Sequence, residues 1–235
     1  MVSTDESGHG VVGIGDSFMK GYGLPLAGIT CSSWGAWLAW ALMTCFTQVA
    51  VDNATCEQVL RDQVPLLQSD YRLGVVWLGA NDIAHLDPRL FRERLSALCF
   101  SAGSRTRTLA VGTLPARLTS PGASQQAHEH ARNEVNAAIR QVVAASGAVL
   151  VDVEHALDST WSMSPDGEHP TGLGQLAAAH AAAAALDARG LRFARHLPSV
   201  ASLRPTASEQ LQFATRGRRG LARELGGALV RGRRR

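Results

Sequence analysis

The chain has 235 residues, 46% of them hydrophobic, and a formal charge of +3. That is enough apolar material for one α/β domain with a buried core, and no uninterrupted apolar run reaches the eighteen residues a membrane span requires. The charge is uneven: residues 192–235 hold eleven arginines against Glu209 and Glu224, a net of +9, which leaves about −6 for the body.

In chain order, Val11 to Ile14 is a short apolar run ending at Gly15 and reads as a first, buried strand. Ser33 to Phe46 reads as a helix capped by Ser32 or Ser33, and Gln48 to Asp52 as a brief second strand. Thr55 to Leu67 places Leu60, Val64 and Leu67 on one helical face. Leu73 to Leu78 is a third strand, ending at Gly79. Pro88 opens a helix at the position where its missing N–H is harmless, and that helix runs to about Cys99. Thr108 to Val111 is a fourth strand. Ser124 to Ser146 is a long helix stopped by Gly147, Ala148 to Val153 a fifth strand, and Thr171 to Ala188 an alanine-rich helix.

Strands alternating with helices imply a three-layer α/β/α sandwich around a parallel sheet of about five strands. The reading is one catalytic domain over 1–190 and an Arg-rich extension over 191–235. In such sheets chemistry gathers beyond the C-terminal strand ends, so the residues just after each strand carry the weight.

After the first strand comes Gly15-Asp16-Ser17. Gly15 permits a sharp turn and leaves Ser17 at the sheet rim, where a serine needs a base to take its proton. After the fifth strand comes Asp166-Gly167-Glu168-His169-Pro170. The spacing lets Asp166 reach the imidazole of His169 and fix its tautomer, as a nucleophile–base–orienter arrangement needs. After the third strand comes Gly79-Ala80-Asn81-Asp82, where the Asn81 amide can face a developing oxyanion. Each motif alone is an ordinary turn; all three at strand ends of one sheet are improbable by chance.

Together these blocks resemble the SGNH, or GDSL, hydrolases over about residues 10–188, and the flanking Ser33-Trp34, Asn136-Ala137-Ala138-Ile139 and Trp161 resemble a compact actinobacterial-type branch. The resemblance implies a flavodoxin-like fold and a serine ester hydrolase. Ser17, His169 and Asp166 would be its triad, with an oxyanion hole from the Ser17 N–H, the Asn53 N–H and the Asn81 side chain. It implies a small-molecule ester substrate and neither metal nor organic cofactor. One block departs: Asn53 stands where the family has Gly. Asn keeps the main-chain donor and tolerates left-handed backbone; the rival reading is a damaged hole with weak or altered activity. Acyl transfer through the same acyl-enzyme, and a catalytically silent binding module, are the alternative functions.

Phe18, Met19, Tyr22, Ile83, Leu114, Arg117 and Trp161 are the expected substrate-site lining. Asp16 and Asp82 read as loop-holding carboxylates. His85, His128, His130, His155, His180 and His196 read as surface or satisfied core histidines, Glu168 as exposed, and Trp34, Trp37, Trp40 and Trp77 as core. Cys31, Cys45, Cys56 and Cys99 follow no metal spacing and read as reduced core thiols. No signal-like segment opens the chain, so the expected location is cytoplasmic. The tail reads as a solvated extension or as a basic amphipathic helix built on Leu221, Leu225 and Leu229, suited to a membrane surface or an acidic partner. Nucleic acid is the reading it favours least, because no aromatic residues are interleaved.

Overall fold

The computed structural model describes residues 9–119 and 124–216. The N-terminal residues read for a leader, and the tail leucines 221, 225 and 229 with their neighbouring arginines, lie outside the described residues. Five strands form one parallel sheet: β1 (His9–Gly15), β2 (Phe46–Gln48), β3 (Tyr71–Trp77), β4 (Leu109–Gly112) and β5 (Val149–Val151), in the order β2-β1-β3-β4-β5. That order is the flavodoxin-like doubly wound arrangement, in which the strand order reverses beside β1 and opens a crevice there. β1 and β3 are buried on both faces, which is why their sequences run apolar without alternation.

Helices cover both faces. α2 (Trp34–Ala41) packs with α7 (Gly172–Asp187), and α4 (Pro88–Gly103) packs with α5 (Gln125–Ser146) and with the one-turn α3 (Cys56–Gln58). Caps account for several boundaries. The Ser33, Ser124 and Thr171 hydroxyls accept from the Ala36, Ala127 and Gly174 N–H groups, and Asp87 accepts from Arg89 and Leu90. Gly147, at φ 75°, ends α5 in the left-handed conformation. Among the described residues, no helix is long and apolar enough to cross a membrane.

Four elements differ from the sequence reading. The helix expected to reach Phe46 stops at Ala41, because Met43 takes φ 55° and turns the chain. β2 therefore begins at Phe46, two residues before the expected start, although Val49 and Val51 still donate to the Gly13 and Gly15 carbonyls. The helix expected over 55–67 holds only one α turn, followed by a π turn at Val59–Gln63 and a 3₁₀ turn at Val64–Leu66. Pro65 has no N–H for the Arg61 carbonyl, so the α ladder cannot continue. Beyond β5 the chain coils into the unanticipated α6 (Val153–Ala156), capped by Asp152.

Residues 191–216 lie against the body. Leu191, Phe193 and Leu197 pack on the core, and Ala194 and Arg195 both donate to the Ala41 carbonyl. Glu209 accepts from the Ala27 N–H at 2.8 Å. Trp40, read as core, is 41% exposed and carries the Arg195 guanidinium over its ring at 5.3 Å. Trp34 and Trp77 are fully buried. The four cysteines are free thiols, but only Cys56 and Cys99 are buried; Cys45 is exposed.

Candidate active site

The turn after β1 is locked from several sides. Gly15 has φ 144°, and a Cβ on it would stand 1.9 Å from the Trp77 carbonyl oxygen, so no side chain fits. Its N–H donates to Gln63 Oε1 at 2.9 Å, and its carbonyl accepts from Gln63 Nε2 at 2.8 Å. Gln63 is buried at the end of the π turn, a distortion that recurs near functional sites. Asp16 then caps α1 (Ser17–Lys20) by accepting from the Phe18 N–H at 2.9 Å, while Gln175 Nε2 holds the Phe18 carbonyl at 2.9 Å. Ser17 is thus the first residue of a pinned helical turn. Neither Gln63 nor Gln175 belongs to a motif, and the sequence reading missed both.

The partner loop is a tight hairpin. Met163 and Pro170 pair across it, Ser164 donates to the His169 carbonyl at 2.6 Å, and Thr171 donates to Ser162. The Thr119 N–H reaches the Gly167 carbonyl at 2.9 Å. At its tip, Asp166 Oδ1 accepts from the Glu168 and His169 N–H groups, and Asp166 Oδ2 lies 3.0 Å from His169 Nδ1. An ionised carboxylate only accepts, so Nδ1 carries the proton and Nε2 presents its lone pair. That Nε2 lies 2.9 Å from Ser17 Oγ. Phe18 and Tyr22 flank the imidazole, with ring centroids at 5.9 and 5.8 Å.

The charges follow from these contacts. The Asp166 hydrogen bond raises the His169 pKa above its ordinary value, outweighing the opposing effect of burial. Burial pushes Asp166 up, but hydrogen bonds from the His169 ring and from the His169 and Glu168 backbone hold it below the ordinary carboxylate value. Asp16 is fully buried, and burial lifts its pKa to about 7 against the stabilising Phe18 N–H. Burial likewise lifts Asp82 to about 6, although both its oxygens accept from the Cys56 N–H.

A cavity of about 410 Å³ opens over Ser17 and His169, lined among others by Phe18, Asn53, Asn81, Ile83, Leu118 and His128. The Ser17 and Asn53 N–H groups meet no acceptor among the described residues. Asn53 sits at φ 59°, in the left-handed region. The Asn81 amide is already engaged: Nδ2 donates to Asp16 Oδ2 and to the Ala54 carbonyl, each at 3.2 Å.

Four of the expected lining residues are elsewhere. Met19 and Leu114 are fully buried in the core, and the Asn136 side chain clasps both the N–H and the carbonyl of Leu114. Arg117 is exposed and donates to the Asp158 carbonyl. Trp161 packs its ring on Phe213 of the 207–216 helix, at 5.1 Å. Tyr22 borders His169 but is largely exposed. Glu168 lines the cavity, half-buried, where exposure was expected.

His128, read as a surface or satisfied core residue, is buried at the cavity wall. It lines the cavity and is 6% exposed, with the Leu118 backbone beside its ring. Burial first, and the Arg132 charge second, hold its pKa below the ordinary histidine value, against smaller upward pulls from the Leu118 backbone and Glu129.

Comparison with known proteins bears on the fold and the family. No curated protein matches the chain in sequence. Solved structures share the fold at low identity. An extracellular lipase from Streptomyces rimosus has 20% identity and a TM-score of 0.58, covering 75% of this chain and 99% of its own. A phospholipase A1 from Streptomyces albidoflavus NA297 has 18% identity and a TM-score of 0.57, covering 76% and 100%. The esterase EstA from Pseudoalteromonas sp. has 17% identity and a TM-score of 0.59, covering 77% and 98%. The sequence profile of the GDSL-like lipase/acylhydrolase family matches residues 14–177, which spans the Ser17 turn, the Asn81 turn and the Asp166–His169 loop, and the chain belongs to that family.

Proposed function

We propose that the protein hydrolyses carboxylic esters through an acyl-enzyme on Ser17. His169 Nε2 takes the Ser17 hydroxyl proton as Oγ attacks the ester carbonyl carbon. The carbonyl π pair moves onto oxygen, and that oxyanion is held by the Ser17 and Asn53 N–H groups and the Asn81 amide. Asp166 stabilises the imidazolium. The tetrahedral intermediate collapses, the C–O bond to the alcohol breaks, and His169 gives its proton to the departing oxygen. Water, deprotonated by His169, then attacks the acyl-enzyme and releases the acid and free Ser17.

The observation that carries this reading is the unbroken relay from Ser17 Oγ to His169 Nε2 at 2.9 Å and from His169 Nδ1 to Asp166 at 3.0 Å. The test is turnover of 4-nitrophenyl acetate by Ser17→Ala and His169→Ala. Each is expected to lower kcat by roughly 10⁴-fold or more; a variant that keeps wild-type turnover refutes the proposal.

A further inference from the structure

Two pieces of chain meet beside the catalytic base. Loop 21–30 is bonded to the hairpin that carries His169. The Leu24 N–H donates to Ser164 Oγ at 3.1 Å, and the Leu24 carbonyl accepts from the Gly172 N–H at 2.9 Å. A Cβ on Gly23 would stand 1.9 Å from the Pro170 carbonyl oxygen, so the two backbones touch there. Tyr22, on the same loop, borders the His169 ring at 5.8 Å. A shift of the loop is therefore passed to the hairpin. The loop ends in a tight turn, with Leu26 and Ile29 exchanging both backbone hydrogen bonds around Ala27 and Gly28. Ala27 holds φ 53°, in a left-handed region that alanine seldom enters.

The 207–216 helix grips both pieces from outside. Glu209 and Phe213 stand one turn apart on the same helical face. Glu209 Oε1 accepts from the Ala27 N–H at 2.8 Å, and its Oε2 accepts from the Thr206 N–H at 2.7 Å. The Thr206 backbone first, then the Thr206 hydroxyl and the Ala27 and Gly28 N–H groups, hold the Glu209 pKa below the ordinary carboxylate value, so it is ionised at neutral pH. Phe213 packs edge-on against Trp161 at 5.1 Å, and the Trp161 carbonyl accepts from Thr171 Oγ1 at 2.5 Å at the base of the hairpin. Both grips come from chain beyond residue 177, where the family match ends. Neither Glu209 nor Phe213 lines the cavity.

We infer that Glu209 and Phe213 are positioning residues for His169, clamping loop 21–30 and the catalytic hairpin so that Nε2 stays aligned on Ser17 Oγ. The inference rests on Ser17 and His169 as the reacting pair. A misplacement of about 1 Å can cost a reaction about a hundredfold in rate. The clamp lies behind the base and away from the cavity, so its loss acts on kcat and spares KM.

Glu209→Ala removes one grip and Phe213→Ala the other. Each is expected to lower kcat on 4-nitrophenyl acetate, and the rate of Ser17 labelling by a fluorophosphonate, by about tenfold, with KM within about twofold. Glu209→Gln, whose amide oxygen still accepts, and Phe213→Tyr, which keeps the ring, are expected to recover most of that loss. Phe213→Leu takes the place of Phe213→Ala if the latter fails to fold, with the same loss expected. Lowered Tm with wild-type kcat and labelling in both truncations overturns the inference. Carbon–proton NMR of the His169 ring, assigned by its absence in His169→Ala, separates the clamp from ester hydrolysis. The ring signals are expected to move in Glu209→Ala and to return in Glu209→Gln. If no ester is hydrolysed, that pattern upholds the clamp while the ester reading falls; ring signals unmoved in Glu209→Ala refute the clamp.

Discussion

Asn81 gives its amide protons to Asp16 Oδ2 and to the Ala54 carbonyl, both at 3.2 Å. The residue expected to meet an oxyanion is therefore held in place by a buried acid in the same triplet as Ser17. Both bonds lie at the long end of the ordinary range, so an oxyanion can draw one proton away at small cost. Asn81→Ala is expected to lower kcat by about 10²–10³ with KM nearly unchanged. Asp16→Asn sets one amide donor against another and is expected to lower kcat by about tenfold or more. Steady-state kinetics on one simple ester check both; an Asp16→Asn enzyme with wild-type kcat refutes the positioning role.

The pH dependences of activity and stability run in opposite directions. His169 works as a base only when neutral, and its pKa is raised, chiefly by Asp166. kcat/KM therefore rises with pH, with its midpoint above the ordinary histidine value of about 6.5. Asp166→Asn is expected to move that midpoint down and to cut kcat by roughly 10⁴-fold. For stability, Asp16 has a folded pKa of about 7, raised from 3.8. The folded state thus binds more protons than the unfolded chain across that window, and stability falls as pH rises through it. His169, also raised, contributes with the same sign. Tm is expected to fall between pH 5 and 8 in the wild type and to fall less in Asp16→Asn, as calorimetry at the two pH values would show.

Gln63 holds both backbone groups of Gly15. Gln63→Leu leaves the buried Gly15 N–H unpaired, at about 1–3 kcal/mol, while the Gly15 carbonyl keeps the Val51 N–H. In a chain of this size that lowers Tm by several degrees. Because Gly15 sets the Ser17 turn, kcat is expected to fall as well, by about tenfold or more. A melt and a kinetic run on the same preparation check this; loss of stability with unchanged kcat would make Gln63 purely structural.

Asn53 already adopts the left-handed backbone that a glycine takes easily, at φ 59°, and its N–H is free among the described residues. Asn53→Gly is therefore expected to change kcat by less than about threefold. Asn53→Val, whose β-branched side chain resists positive φ, is expected to lower it by tenfold or more. A tenfold gain in Asn53→Gly would show instead that the Asn side chain obstructs the oxyanion.

The site's legibility in the sequence follows from where each residue stands. Ser17, Asn81, Asp166 and His169 stand in short turn-rich motifs beyond apolar runs, and a parallel sheet brings such ends together. The sheet itself was readable because β1 and β3 are continuously apolar. Gln63, Gln175 and Asn136 were not readable as backbone clasps, because a lone amide inside a helix carries no periodic signal. Met19 and Leu114 flank the right motifs, but a one-turn helix and a loop do not reveal which side chain faces the core. Trp161 was misplaced because its partner, Phe213, comes from distant chain. The early end of α2 depends on Met43 at positive φ, which its residue type does not announce.

The most direct test of the Ser17 claim is covalent capture. The protein is incubated with a fluorophosphonate, and the adduct is mapped by peptide mass spectrometry in the wild type, Ser17→Ala and His169→Ala. One adduct per chain on Ser17 is expected in the wild type, none in Ser17→Ala, and labelling slowed by at least a hundredfold in His169→Ala. An unlabelled Ser17 in folded protein, or an adduct that survives in Ser17→Ala at the wild-type rate, would contradict the account.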